Sequence, residues 1–128
     1  MAIYILTDSS ADYLSDEAER RGIWVAQLRV QFGEETYQAG PDPDYAGFYR
    51  KLAASKELPT TSQAGPDDFI PWFQQVKENG DSLICLLIAS SLSGTYQSAM
   101  IAKEMCGYEH IHVVDSTQTV LGLRLLVD

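Results

Sequence analysis

Positive charge is scarce in this chain, where nine lysines and arginines stand against eighteen aspartates and glutamates, a formal charge of −9. That balance excludes nonspecific attachment to nucleic acid or to an anionic membrane surface, because both need basic patches. Any anion the chain binds must be held by local donors. Long apolar runs are also missing: none approaches the ~18 residues needed to cross a bilayer, and no basic N-terminal end precedes an apolar stretch of signal length. The expectation is a soluble, cytoplasmic protein with no membrane insertion. Cysteine is limited to Cys85 and Cys106, which form no close metal-ligand pair and read as reduced core thiols.

Other absences concern chemistry. No Gly-x-x-x-x-Gly-Lys-Ser/Thr run offers a phosphate loop. A Gly-x-Ser-x-Gly elbow fails because Ala89 stands two residues before Ser91. His110 and His112 share one face of a short strand near Asp115, but two histidines without a third ligand read as strand residues rather than a metal site. No neighbouring carboxylate pair suggests acid–base work. Asp8 and Asp115 read instead as hydrogen-bond acceptors that fix loops. Catalytic residues, metal and cofactor are accordingly expected to be none.

What the chain does have is a regular alternation of elements. At 128 residues and 45% apolar content it fits one domain, residues 1–128, with a single core. Ala2–Leu6 reads as a strand, and Ser15 as the cap of a helix with Gly22 just past its end. Trp24, Ala26, Leu28, Val30 and Phe32 alternate with polar residues, which predicts one strand near a sheet edge. A turn-rich stretch, 33–43, precedes a helix with a core stripe of Tyr45, Phe48, Tyr49, Leu52 and Ala53. A third helix carries Phe69, Trp72, Phe73 and Val76 and begins near Pro66 or Asp67, although Pro71 argues for a later start or a kink. Leu83–Ile88 is an apolar strand followed by a hydroxyl-rich turn and a helix. Ile111–Val114 is another strand, leading to a last apolar segment. Strands alternating with helices imply an α/β fold with a mostly parallel sheet flanked by helices.

Three polar clusters follow strands directly: residues 7–10, residues 90–95, and Asp115 with Ser116. Parallel strands would bring all three to one rim, and open parallel sheets bind ligands at the carboxyl ends of their strands. The 60–63 segment, read as a loop before a helix, is a candidate for the same rim. The first turn of a helix presents unpaired N–H groups and partial positive charge, so hydroxyls gathered there suit an anionic headgroup. An ordinary helix cap at Ser93–Thr95 and a capped turn at Thr60–Ser62 explain the same residues without a ligand.

Taken together, Thr7-Asp8-Ser9-Ser10-Ala11-Asp12, Pro59-Thr60-Thr61-Ser62-Gln63, Ser90 through Ala99 and Val114-Asp115-Ser116 resemble the DegV family in order and spacing, over essentially the whole chain. The resemblance implies the N-terminal α/β domain of proteins that usually carry a C-terminal domain of comparable size, here truncated before it. It further implies a fatty-acid-binding protein, with the acyl tail in an apolar tunnel and the carboxylate held by hydroxyls near the interdomain cleft. In some bacteria such proteins present the bound acid to a fatty acid kinase and perform no chemistry themselves. Carried onto this chain, the headgroup positions are Thr61 and Ser93, with Ser62, Gly94 and Thr95 as neighbours. The chain departs from the family pattern at Ala64, where proline is usual, and at Val120 and Arg124, where serine and glycine are usual.

The apolar end, residues 120–127, lacks a stop signal and predicts a helix that expects burial. Lipid binding that is weak or absent in this form, and self-association through its exposed faces, are the corresponding expectations. Two other function classes remain open on the residues alone: a small hydrolase or phosphoryl-transfer enzyme, and a non-liganded interaction domain.

Overall fold

The computed structural model describes residues 1–37 and 45–128. A four-stranded parallel sheet runs through the core, in the order β2 (Ile23–Ala26), β1 (Ile3–Asp8), β6 (Ser82–Leu87), β7 (Ile111–Asp115). Its order reverses between β1 and β6, since the chain leaves β1 towards one edge and later fills the other. Helices cover both faces, as a sheet with two apolar faces requires. On one side α3 (Pro66–Asn79) and α4 (Thr95–Cys106) bury Phe69, Phe73, Leu83, Leu87 and Ile111. On the other, α1 (Ser15–Arg21) and α5 (Val120–Val127) enclose Ala18, Ile23, Leu123 and Val127. The expected α/β architecture is therefore the observed one, and both cysteines are buried free thiols.

A second sheet was not expected. Rather than one strand over residues 24–32, the chain leaves β2 at Ala26 and re-forms as β3 (Arg29–Phe32) in a separate antiparallel sheet, ordered β4 (Glu35–Tyr37), β3, β5 (Thr60–Ser62). The break has a local cause: Leu28 donates its backbone N–H to Ser9 Oγ at 2.9 Å, so it makes no ladder bond there. The 60–63 segment read as a loop thus begins as a strand, with Thr61 opposite Val30 and Ser62 opposite Arg29. An Arg29–Asp68 ion pair of 2.9 Å ties β3 to α3.

Three further expectations are corrected. Ser15 is the first residue of α1 rather than its cap; Leu14 takes that position with extended backbone and no side-chain hydrogen bond. Gly22 does close the helix, at a φ of +66° that suits glycine. The stripe of α2 (Tyr45–Ala54) buries no residue: Phe48 packs on Phe32 and Tyr37, while Tyr45 and Tyr49 are exposed. Pro71 neither delays nor ends α3. That helix begins at Pro66, with Asp68 accepting the Gly65 N–H at 2.8 Å, and Pro71 sits on its exposed side. Of the turn-rich stretch, residues 38–43 lie outside the described residues.

The last helix is half covered. Leu123 and Val127 are buried, whereas Val120, Leu121, Leu125 and Leu126 are each at least half exposed. Val120 enters it at φ +50°, a left-handed conformation that is costly for a β-branched residue. No described helix is long and apolar enough to cross a membrane.

Candidate functional site

The carboxyl ends of β1, β6 and β7 meet on one rim, and hydrogen bonds lock the polar clusters that follow them into a single surface. Asp8 is fully buried at the end of β1. Its carboxylate accepts the Ile88 N–H at 2.7 Å and the Ser10 N–H at 2.9 Å, joining the β1 turn to the end of β6. Asp115 joins β7 to the same place by accepting Ser90 Oγ at 2.5 Å, the Ser90 N–H at 3.2 Å and the Thr117 N–H at 3.0 Å. These bonds, led by that from the Ser90 hydroxyl, hold the Asp115 carboxyl below the usual carboxylate range. Both aspartates are loop-fixing acceptors, as the sequence suggested. The rim lies at the point where strand order reverses, where helix N-termini and loops converge on a ligand in open parallel sheets.

At its centre the chain leaves β6, folds back through residues 88–93 and starts α4. Leu92 and Ser93 both donate their backbone N–H to the Ala89 carbonyl, at 2.9 and 3.2 Å, which makes the turn. Ser93 and Thr95 share a hydroxyl–hydroxyl bond of 2.9 Å, and the Thr95 N–H reaches Ser93 Oγ at 3.3 Å. Thr95 is fully buried, so its hydroxyl acts on Ser93 rather than on anything outside. Ser93 and Gly94 are half-buried and reach the surface.

Thr61 and Ser62 sit on β5, in the other sheet. Side chains alternate along a strand, so the two hydroxyls point to opposite faces and a single ligand atom cannot engage both from one side. Thr61 is exposed and Ser62 half-buried. The structure brings this segment to the rim through the next residue but one: the Gln63 amide lies against the bare backbone of Gly94. The 60–63 segment therefore does join the Ser93 rim. Gln63 is the residue that sequence reasoning passed over, and its place at the end of the Thr-Thr-Ser-Gln run was the available signal.

The chemistry open to these groups is narrow. Burial pushes the Cys85 thiol up to about 12 and raises that of Cys106, so neither is a thiolate at neutral pH. His110 lies just before β7, against the ring of Tyr108 and 3.6 Å from Glu109, and His112 is its second residue. Both stand towards the amino end of the strand, away from the rim, so neither supplies a base to Ser93. Among the described residues no group of three His, Cys, Asp or Glu side chains could hold a metal ion. A cavity of about 700 Å³ runs along the open edge of β2, walled by Tyr13, Trp24, Leu28, Arg29 and Trp72; none of Thr61, Ser62, Ser93, Gly94 or Thr95 lines it. What the rim offers is neutral donors: hydroxyls and the first-turn amides of α4, a set that suits a carboxylate without any lysine or arginine.

The chain is similar to known proteins over nearly its whole length. The sequence model of uncharacterised proteins of the DegV family matches residues 2–128. A DegV domain-containing protein of Caldanaerobacter subterraneus is 38% identical over 125 residues, covering 98% of this chain and 44% of the relative. Among solved structures, a fatty-acid-binding DegV family protein of Thermus thermophilus superposes with a TM-score of 0.85 at 31% identity, over 99% of this chain and 45% of that one. DegV of Bacillus subtilis, a fatty acid binding protein, gives 0.83 at 32% identity over the same shares. The chain spans just under half the length of each of these proteins.

Proposed function

The chain belongs to the DegV family, and from that premise we propose that it binds a long-chain fatty acid, with the carboxylate held at the Ser93 rim and Thr61 facing it from β5. The observation that carries this reading is the position of Ser93: a half-buried hydroxyl at the start of α4, at the reversal point of a parallel sheet, in a chain similar over its whole length to fatty acid binding proteins. Hydroxyls and helix-terminal N–H groups satisfy a carboxylate's lone pairs, which lets a chain of charge −9 accept an acidic lipid. Gly94 borders the headgroup, Thr95 acts through Ser93, and Ser62 stands on the opposite face of β5, behind Thr61. The protein is a carrier and not an enzyme. The partner implied by the family resemblance is a fatty acid kinase to which the bound acid is presented.

Native and then denaturing mass spectrometry of the gently purified protein tests the reading. It expects a stoichiometric fatty acid; a protein that is empty and takes up no oleate when offered it overturns the reading. The apolar residues exposed on α5 support self-association as a second property of this chain. Sedimentation velocity across a concentration series expects species larger than the monomer, and a monodisperse monomer counts against it.

A further inference from the structure

We propose that Gln63 is the positioning residue of the headgroup site: its amide, seated on the bare backbone of Gly94, holds β5 against the start of α4 and so fixes Thr61 relative to Ser93. The inference rests on the fatty-acid reading above and assigns a role to a residue outside the hydroxyl set.

Its basis is the space at Gly94. A Cβ built there would stand 2.5 Å from Gln63 Oε1, 2.7 Å from Cδ and 2.8 Å from Nε2, closer than side-chain atoms ever approach. Backbone conformation does not call for glycine, because φ at Gly94 is −77°, a value open to any residue. Room for the Gln63 amide is the remaining reason for glycine at this position. The contact matters because the two hydroxyls belong to different sheets: Thr61 to the antiparallel one, Ser93 to the rim of the parallel one. The two sheets are joined through residues 27–28, by the Arg29–Asp68 pair and by the packing of α3, and a contact between the end of β5 and the start of α4 adds a tie across the gap at the site itself. Among the described residues, the Gln63–Gly94 packing spans it. A headgroup held between donors on separate bodies needs that separation set before binding, since each loose donor adds an ordering cost.

The test combines two variants with two readouts. Gly94→Ala leaves no room for the amide and drives it outwards, while Gln63→Ala removes it; both change half-exposed or exposed atoms, and melting temperature checks that the fold stays intact. Oleate affinity is measured for the parent, each single variant and the double variant, and the Gln63 side-chain amide signals are followed by NMR without lipid. The expected result is a loss of about tenfold in each single variant. The double variant loses no more than the weaker single, because the new Cβ enters space already vacated. The Gln63 signals move in Gly94→Ala. Losses that multiply in the double variant, parent-like affinity in Gln63→Ala, or unmoved amide signals overturn the proposal. If the parent takes up no oleate, the fatty-acid reading fails by itself. The lipid-free signals then decide whether Gln63 is seated on Gly94: movement upholds that seat and stillness removes it.

Discussion

Ser90 and Asp115 bridge the carboxyl ends of two neighbouring parallel strands, with both the hydroxyl and the backbone N–H of Ser90 donating to one carboxylate. The bridge has an electrostatic signature. The Ser90 hydroxyl holds the Asp115 carboxyl below its ordinary value, so the folded state releases this proton more readily than the unfolded chain does. Stability from the bridge is then fully present above the unfolded carboxylate pKa and is lost as pH falls through the folded one. Ser90→Ala should return the Asp115 pKa upward towards the ordinary range, read by NMR titration of the carboxyl carbon. The parent should exceed the variant in stability at neutral pH, and the gap should close in acid.

Thr61 and Ser93 supply the headgroup test. Each hydroxyl bonded to a carboxylate contributes on the order of 1.5–3 kcal/mol, so Thr61→Val and Ser93→Ala should each weaken oleate binding about tenfold to more than a hundredfold. Circular dichroism should show both variants folded. Ser62→Ala, on the opposite face of β5, should weaken it less than Thr61→Val. Unchanged affinity in both Thr61→Val and Ser93→Ala would remove the headgroup assignment.

Much of this arrangement was legible in the sequence, and the exceptions have physical reasons. The apolar run of β6 and the hydroxyl turn after it are local signals, strong enough to place the central strand and the rim. The split of residues 24–32 was hidden because apolar alternation continues unbroken across Gln27 and Leu28, while the bond that ends β2 comes from Ser9, nineteen positions away. β5 was missed because a three-residue run next to Pro59 is too short to signal a strand even though Thr favours one, and only pairing with β3 defines it. Pro71 misled because a lost hydrogen bond weighs little beside the burial of Phe69, Phe73 and Val76 on the same helix. The Thr-Thr-Ser-Gln run marked the segment of Gln63, but its contact with Gly94 joins residues 31 positions apart and is defined only by the fold.

Asp8 offers a stability prediction independent of any ligand. Its carboxylate is fully buried and satisfies the Ile88 N–H together with the N–H and hydroxyl of Ser10. Asp8→Ala would leave a buried N–H at the end of β6 without its acceptor, which costs about 1–3 kcal/mol. Asp8→Asn keeps one oxygen and should cost less. Denaturant unfolding at neutral pH measures both. Equal stability of Asp8→Ala and parent would mean that water replaces the carboxylate there.

Arg124 fastens α5 to the start of the chain. Its guanidinium lies 4.4 Å from the centre of the Tyr13 ring, donates to the Asp12 carbonyl at 3.1 Å and pairs with Glu17. Tyr13 in turn donates its hydroxyl to Asp128, and burial, reinforced by that bond, raises its pKa to about 12. Because α5 packs beside the rim yet leaves much of its apolar surface exposed, these contacts share with Leu123 and Val127 the work of holding it. Arg124→Ala should lower the melting temperature by on the order of 3–5 °C. Arg124→Lys should fall between, since an ammonium keeps the charge but not the planar fork that both stacks and pairs. The Arg124→Ala and Glu17→Gln effects should be less than additive in the double variant, as expected for partners in one network. Full additivity would instead mean that the Tyr13 stack and the Asp12 bond carry the contribution of Arg124 without Glu17.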